Sequence, residues 1–278
     1  MAKSKAKKHI KGKSANRGIP WFAWLGIALG IVAIVAFFHI YPVNEPSQPD
    51  NIGQPRAAVI DQLSLLETNE GFITNITRNL EHYGFVVDTY HGDAVTVDLY
   101  KNLPSQGYKL IVFRAHSGLM RKHGSSTYPE ITFLFTGEKY GQYKYSKEQL
   151  TDQIVPATMP GDYPAVFAVN SEFINHTMKG KFNNTIIIMT GCSGLKFDDL
   201  ASAFIEKGAS SYIGYDATVL LNYSDETADY LVGELCHNAT IKEATMSAVF
   251  QKGRDPIYYA RPEYFPLQSG NKTLEELI

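Results

Sequence analysis

TIIIMTGCSGLKFDDLASAFIEKGASSYIGYD, residues 185–216, decides the fold. It opens on TIIIMT (185–190), an apolar run of the length of a strand buried on both faces. Phe197, Leu200, Ala201 and Phe204 then recur at helical spacing over 197–207, and Gly208 stands where a C-cap belongs. SSYIGY (210–215) is a second strand. Alternation of this kind places helices on both faces of a mostly parallel sheet.

The pattern extends in both directions. Upstream, AAVID (57–61), FVVDTY (85–90) and KLIVFRA (109–115) read as strands. Between them lie a helix over 69–82, with Phe72, Ile76 and Leu80 on one face, and a shorter one over 96–103 that ends before Pro104. Downstream, one amphipathic helix starts with Ser224 as N-cap and buries Ala228, Leu231, Val232 and Leu235. A second runs from about Thr240 to Gln251. The alternation breaks between 117 and 184. There ITFLF (131–135), a Gly/Tyr turn and a charged helix near Lys147–Ile154 predict a hairpin and helix inserted into the sheet unit. The fold class expected for 56–278 is α/β, a mostly parallel sheet flanked by helices in three layers.

Open parallel sheets carry their reactive groups just past the carboxyl ends of the strands. Two strand ends stand out: IVFRAHSG, ending in His116-Ser117-Gly118, and IIIMTGCSG, ending in Cys192-Ser193-Gly194. Sulfur attacks as thiolate, so a cysteine nucleophile needs a proton acceptor, and an imidazole on a neighbouring strand end supplies one. A helix starting near Phe197 would favour negative charge on Cys192. Gly118, Gly191 and Gly194 let a substrate backbone approach closely. The amides of Cys192 and of Ser117 or Gly118 are the candidate oxyanion donors.

The two motifs, their order and the architecture between them resemble the caspase-like cysteine peptidases, the group of caspases, separases, gingipains, legumains and CHAT-type proteases. In that group one apolar strand ends in His-Gly and a second ends in a small residue followed by the catalytic Cys. The continuation GLKFDDLASAFIEKGASSYIGYDATV is most similar to the CHAT and separase type, and the resemblance spans roughly residues 56–250. It implies a cysteine endopeptidase with His116 as general base and acid and Cys192 as nucleophile, acting on a peptide or protein without a cofactor. The chain departs from the group's pattern in three places. Ser117 replaces the glycine after the histidine. The His–Cys separation is 76 residues, against about 50 in caspases. Thr190-Gly191 precedes the cysteine where caspases have Gln-Ala, so a caspase-type Asp preference is not carried over. A literal His123-Gly124 pair sits in a polar stretch rather than on a strand end and ranks below His116. The resemblance also makes Thr190, Asp216 and Arg114 candidate substrate-binding residues: Asp216 for a basic side chain, Arg114 for an acidic one. A turn or cap role for Asp216 and an ion-pair role for Arg114 are the commoner fates of such residues.

Other readings compete. A Cys192–Cys236 disulfide would remove the nucleophile and leave a surface binding module, although Cys236 flanks an apolar helical stripe and is as well explained as a small buried hydrophobe. A catalytically inactive homologue serving in adhesion is the main alternative to an enzyme. A Gly-x-Cys-x-Gly elbow fails at Thr190, and only His237 follows the cysteine. No Lys-Ser/Thr follows the glycines as in a phosphate loop, and no histidine pair has the spacing of metal ligands.

The formal net charge of −2 hides a segregation. Residues 1–20 carry seven Lys/Arg and no acid, and the remaining 19 bases against 28 acids leave −9. A nucleic-acid binder, which shows a basic surplus on its domain, is thereby disfavoured. Trp21–Tyr41 contains no Asp, Glu, Lys or Arg and is long enough to span a bilayer as one helix. With aromatic residues near its ends and cations before it, the positive-inside rule predicts a basic cytoplasmic tail (1–19), a single-pass anchor (20–41), a Pro-rich linker (42–55) and an extracellular domain (56–278). Six N-x-S/T sequons, at Asn75, Asn175, Asn183, Asn222, Asn238 and Asn271, all follow the anchor. Chance gives about 1.8 for a chain with 14 Asn and 35 Ser and Thr. A glycosylated cell-surface protein is the expectation.

Overall fold

A computed structural model describes residues 53–120 and 131–278. The tail, the anchor, the linker up to residue 52 and the His123-Gly124 pair lie outside the described residues. Among the described residues no helix is long and apolar enough to cross a membrane.

The elements in chain order are β1 (Arg56–Asp61), α1 (Glu70–Tyr83), β2 (Val86–His91), α2 (Val97–Asn102), β3 (Tyr108–Arg114), β4 (Ser117–Leu119) and β5 (Thr132–Lys139). Then come α3 (Ser146–Leu150), β6 (Ile154–Ala157), β7 (Val166–Val169), α4 (Ser171–His176), β8 (Thr185–Met189) and α5 (Asp199–Glu206). The chain closes with β9 (Ala209–Tyr215), α6 (Leu221–Cys236), α7 (Ile241–Lys252) and β10 (Pro262–Phe265).

The main sheet has the order β2-β1-β3-β8-β9-β10. All its pairs are parallel except β10 on β9. Its central strands are apolar over residues 57–60, 110–113 and 186–189, where both faces are covered. Ala58, Ile60, Ile111, Phe113, Ile187 and Met189 pack on one side with Tyr100 of α2, Phe173 of α4 and Phe204 of α5. The intervening residues Ala57, Val59, Leu110, Val112, Ile186 and Ile188 pack on the other with Ile76 and Leu80 of α1 and Leu231 and Val232 of α6. This is a three-layer α/β arrangement with a mixed, mostly parallel sheet, the class expected from the alternation.

Local signals set the helix ends. Asn69 caps α1 by accepting from Phe72 N at 3.0 Å, and Gly84 ends it with φ 112°. Thr240 and Glu243 form a capping box on α7. Two starts differ from expectation. Helix α6 begins at Leu221, so Ser224 lies inside its first turn, buried, with its hydroxyl donating to Leu221 O at 2.9 Å. Helix α5 begins at Asp199, six residues of loop beyond Cys192, so the helix end expected beside the sulfur is displaced down the chain.

The insertion is larger than a hairpin and helix. It forms a second, antiparallel sheet ordered β4-β5-β7-β6. The helix expected up to Ile154 stops at Leu150, and Asp152 turns the chain with φ 55° so that Ile154 opens β6. Strand β6 contains Pro156 and β7 is four buried residues, so neither shows a usable alternation.

Candidate active site

Strands β3 and β8 are parallel neighbours with Leu110 opposite Ile186 and Phe113 opposite Met189. Three further residues along each chain bring His116 abreast of Cys192. Thr190 holds the two ends together, donating from both N and Oγ1 to Phe113 O at 2.9 and 3.1 Å. His116, Cys192, Thr190, Gly191 and Ala115 line one cavity of about 70 Å³.

The loop that carries Cys192 is bonded on both sides. Ser193 N donates to Ala217 O at 2.8 Å and Leu195 N to Tyr215 O at 2.9 Å. Ser193 adopts φ 55°, a conformation uncommon outside glycine. Tyr212 Oη donates to Gly194 O at 3.0 Å from the core. Ser117 Oγ donates to Cys192 O at 2.7 Å. Gly191 is required: a Cβ there would collide with Ser117 Oγ and lie 2.6 Å from Ala115 O.

His116 is held through its backbone. Its N–H donates at 2.9 Å to the side chain of Gln62, which is fully buried and in turn donates to Met159 Sδ at 3.0 Å. The His116 carbonyl accepts from Phe135 N at 3.0 Å, and its ring lies 5.8 Å from that of Phe135, centroid to centroid. Its Nε2 is buried and has no hydrogen-bond partner among the described residues. Burial, and then the Arg114 charge, hold the imidazole below its ordinary value of 6.5. At neutral pH the ring is therefore unprotonated and able to accept a proton. The Cys192 thiol donates to Val219 O at 3.5 Å and packs beside Tyr215, Val219 and Tyr223.

The ladder between β4 and β5 separates the two candidate oxyanion donors after the histidine. Phe135 N donates to His116 O and Met120 N to Ile131 O, with Gly118 opposite Phe133 between them. Bonded residues alternate along an antiparallel edge. Gly118 therefore falls in the set that faces β5, and the Ser117 amide points the other way, free of the ladder.

The remaining candidates are engaged elsewhere. Arg114 is fully buried. It donates through Nε and Nη2 to Asp225 at 2.9 and 3.0 Å, and through Nη1 to Asp61 at 2.8 Å and Glu67 O at 3.0 Å. Asp216 accepts from Arg261 N at 2.9 Å and lies 3.7 Å from Arg261 Nε, just past the end of β9 and beside the residue that precedes β10. Neither reaches the cavity lining. Both cysteines are free. Ser224, in the first turn of α6, lines the cavity, whereas Cys236 ends the same helix, about 18 Å away at 1.5 Å per residue. That is beyond disulfide reach. Cys236 packs against the second core layer, and burial pushes its thiol up to about 12. Of the sequon residues, Asn75, Asn183, Asn222, Asn238 and Asn271 are exposed and Asn175 is half-buried.

Sequence reasoning did not single out Gln62, Asp61, Asp225, Val219 or Leu221. These reach the site through tertiary packing and carry no motif of their own. Among the described residues no group of three or more His, Cys, Asp or Glu is placed to hold a metal ion. A larger apolar groove of about 560 Å³, lined by Met246, Val249, Phe250, Tyr264 and Leu267, lies elsewhere between α7 and β10, and its lining carries no thiol or imidazole.

Fold and site together define an α/β domain with one imidazole and one thiol at adjacent strand ends. No family model matches the chain, and no curated protein matches it. Among solved structures it is similar to the crystal structure of the Arg-specific cysteine proteinase gingipain R. The likeness has a TM-score of 0.43 at 13% identity, over 73% of this chain and 43% of that one. The chain thus spans less than half the length of that proteinase.

Proposed function

We propose that the chain is a cysteine endopeptidase working through a Cys192–His116 dyad. One observation carries the reading. An imidazole whose Nε2 is buried without a partner among the described residues shares a cavity with a half-buried thiol at the end of the adjacent parallel strand. A buried orphan polar atom calls for an explanation, and a catalytic role is one of the few available.

In this mechanism His116 takes the Cys192 proton as Sγ attacks the peptide carbonyl carbon. A C–S bond forms and the oxygen becomes an oxyanion facing the Ser117 and Cys192 amides. Collapse breaks the C–N bond as His116 gives the proton to the leaving amine. Water then attacks the thioester, His116 takes its proton and returns it to the departing sulfur, and the acid product leaves.

The same proposal places the domain outside the cell, tethered by residues 20–41 and glycosylated at exposed sequons. The charge segregation and the sequon excess support that placement. Trapping the thiol of the full-length chain with an electrophilic peptide tests the enzyme reading: wild type should label and Cys192→Ala should not. Equal labelling of the two would sink the assignment. The alternative, an inactive surface binding module, is favoured by the thiol donating to Val219 O rather than to the imidazole. Under that reading the native protein labels no faster than a cysteine in a short peptide.

A further inference from the structure

We infer that the cavity beside Cys192 selects a small uncharged side chain at the residue whose carbonyl is attacked, and excludes both basic and acidic ones. The inference rests on the endopeptidase reading and specifies its substrate class.

Size comes first. A cavity of about 70 Å³ is roughly half the ~150 Å³ that accommodates a benzene-sized group. It suits a side chain of alanine to valine dimensions. Its apolar wall includes Leu63, Val219 and Leu221, with Ser224 from α6 beside them in the lining. Ser224 Oγ donates to Leu221 O and Thr190 Oγ1 to Phe113 O, so among the described residues of the lining His116 Nε2 is the unpartnered polar atom. The reaction engages that nitrogen, which leaves no inward donor for a polar substrate side chain.

Charge comes second. Among the described residues near this wall, Asp255 is fully buried and accepts from the Leu220, Ile257 and Tyr258 amides, and three further charged groups are Asp61, Arg114 and Asp225. Asp61 is 1% exposed, Asp225 4% and Arg114 0%. The two carboxylates converge on the guanidinium with hydrogen bonds of 2.8–3.0 Å. Asp225 also accepts from Asn69 Nδ2 at 2.8 Å, and Asp61 from Ser64 N at 3.0 Å. None of the three has an open side toward the cavity. A substrate lysine, arginine or aspartate entering it would be a buried charge without a partner, which is strongly disfavoured. Arg114 is thus a positioning residue that ties β1, β3 and α6 behind the cavity.

The test is a series of peptidyl acyloxymethyl ketones identical except at the terminal residue: Ala, Val, Phe, Arg and Asp. Labelling forms a bond from Cys192 Sγ to the methylene carbon and releases the acyloxy group as a carboxylate, so it reports side-chain fit without turnover. The full-length wild-type chain should label with the Ala and Val probes roughly 10–200-fold faster than with Phe, and faster still than with Arg or Asp. Leu221→Ala should raise the Phe rate relative to Ala by at least about tenfold. Fastest labelling by Arg or Asp overturns the inference and leaves the endopeptidase reading standing. An unchanged Phe/Ala ratio in Leu221→Ala also overturns it. Labelling by iodoacetamide but by none of the peptide probes overturns both.

Discussion

Ser117 Oγ donates a 2.7 Å hydrogen bond to the carbonyl oxygen of Cys192 and so ties the start of β4 to the loop of the candidate nucleophile. The hydroxyl is nearly buried, and its loss leaves a carbonyl without its partner. Ser117→Ala is expected to lower unfolding free energy by about 1–3 kcal/mol, read by urea denaturation. Ser117→Thr, which keeps a hydroxyl, should lose less. Gly191→Ala is expected to be worse than Ser117→Ala, because the new Cβ would meet both Ser117 Oγ and the Ala115 carbonyl.

Arg114 neutralises two buried carboxylates at once. Arg114→Met leaves Asp61 and Asp225 as uncompensated charges, a change expected to cost about 3–5 kcal/mol. Replacing both carboxylates as well, with Asp61→Asn and Asp225→Asn, should recover much of that loss. If the triple variant is no more stable than Arg114→Met, the damage comes from lost packing against Phe72, over whose ring the guanidinium lies at 5.8 Å.

Stability should depend on pH through His116. Its folded value lies below the ordinary 6.5. Between the two values the unfolded chain therefore binds more protons, and stability falls as pH drops through 6.5 and levels off below the folded value. Thermal unfolding at pH 7.5 and pH 5 should show a larger loss in wild type than in His116→Gln, which has no proton to bind. Equal losses would mean that the buried neutral ring is not the source.

The two thiols should be separable by reagent. Burial pushes Cys236 up to about 12, so at pH 8 its thiolate fraction is very small. Iodoacetamide at that pH is expected to modify Cys192 first, as read by peptide mass. Cys236→Ser should leave labelling by peptide probes unchanged. Preferential modification of Cys236 would place the accessible thiol at the wrong end of α6.

What could be read from the chain follows from where each signal lives. Strands β1, β3, β8 and β9 are apolar on both faces and flanked by amphipathic helices, so local pattern alone located them and the two strand-end motifs. Of the second sheet only the ITFLF stretch of β5 was legible, because β4, β6 and β7 are three or four residues long, Pro156 interrupts β6, and Val166–Val169 shows no alternation. The start of α6 was misplaced because Ser224 has the chemistry of a cap, yet its hydroxyl bonds backward to Leu221 O within the helix. Gln62 and Asp225 meet the site only through contacts more than fifty and one hundred positions apart, which no local pattern encodes.

Asp199 shows how the two sheets are joined near the site and offers the last expectation. Its carboxylate accepts from Thr132 N at 2.7 Å and from Thr132 Oγ1 at 2.9 Å, so the first turn of α5 grips the first residue of β5. Strand β5 in turn pairs with β4, which carries Ser117. Burial raises the Asp199 carboxyl above its ordinary 3.8, and the Thr132 hydrogen bonds, which act in the opposite direction, do not offset it. A carboxyl raised in the folded state favours folding when protonated. That contribution is present below 3.8 and is lost as pH rises through the folded value, so at neutral pH the ionised group is a net burden. Asp199→Asn keeps an oxygen to accept from Thr132 N, and its amide can donate to the Thr132 hydroxyl, which can also act as acceptor. The variant should therefore unfold at higher urea than wild type at pH 7, with the gap closing as pH falls toward 3. A variant less stable than wild type at pH 7 would mean that the grip on β5 depends on the negative charge itself.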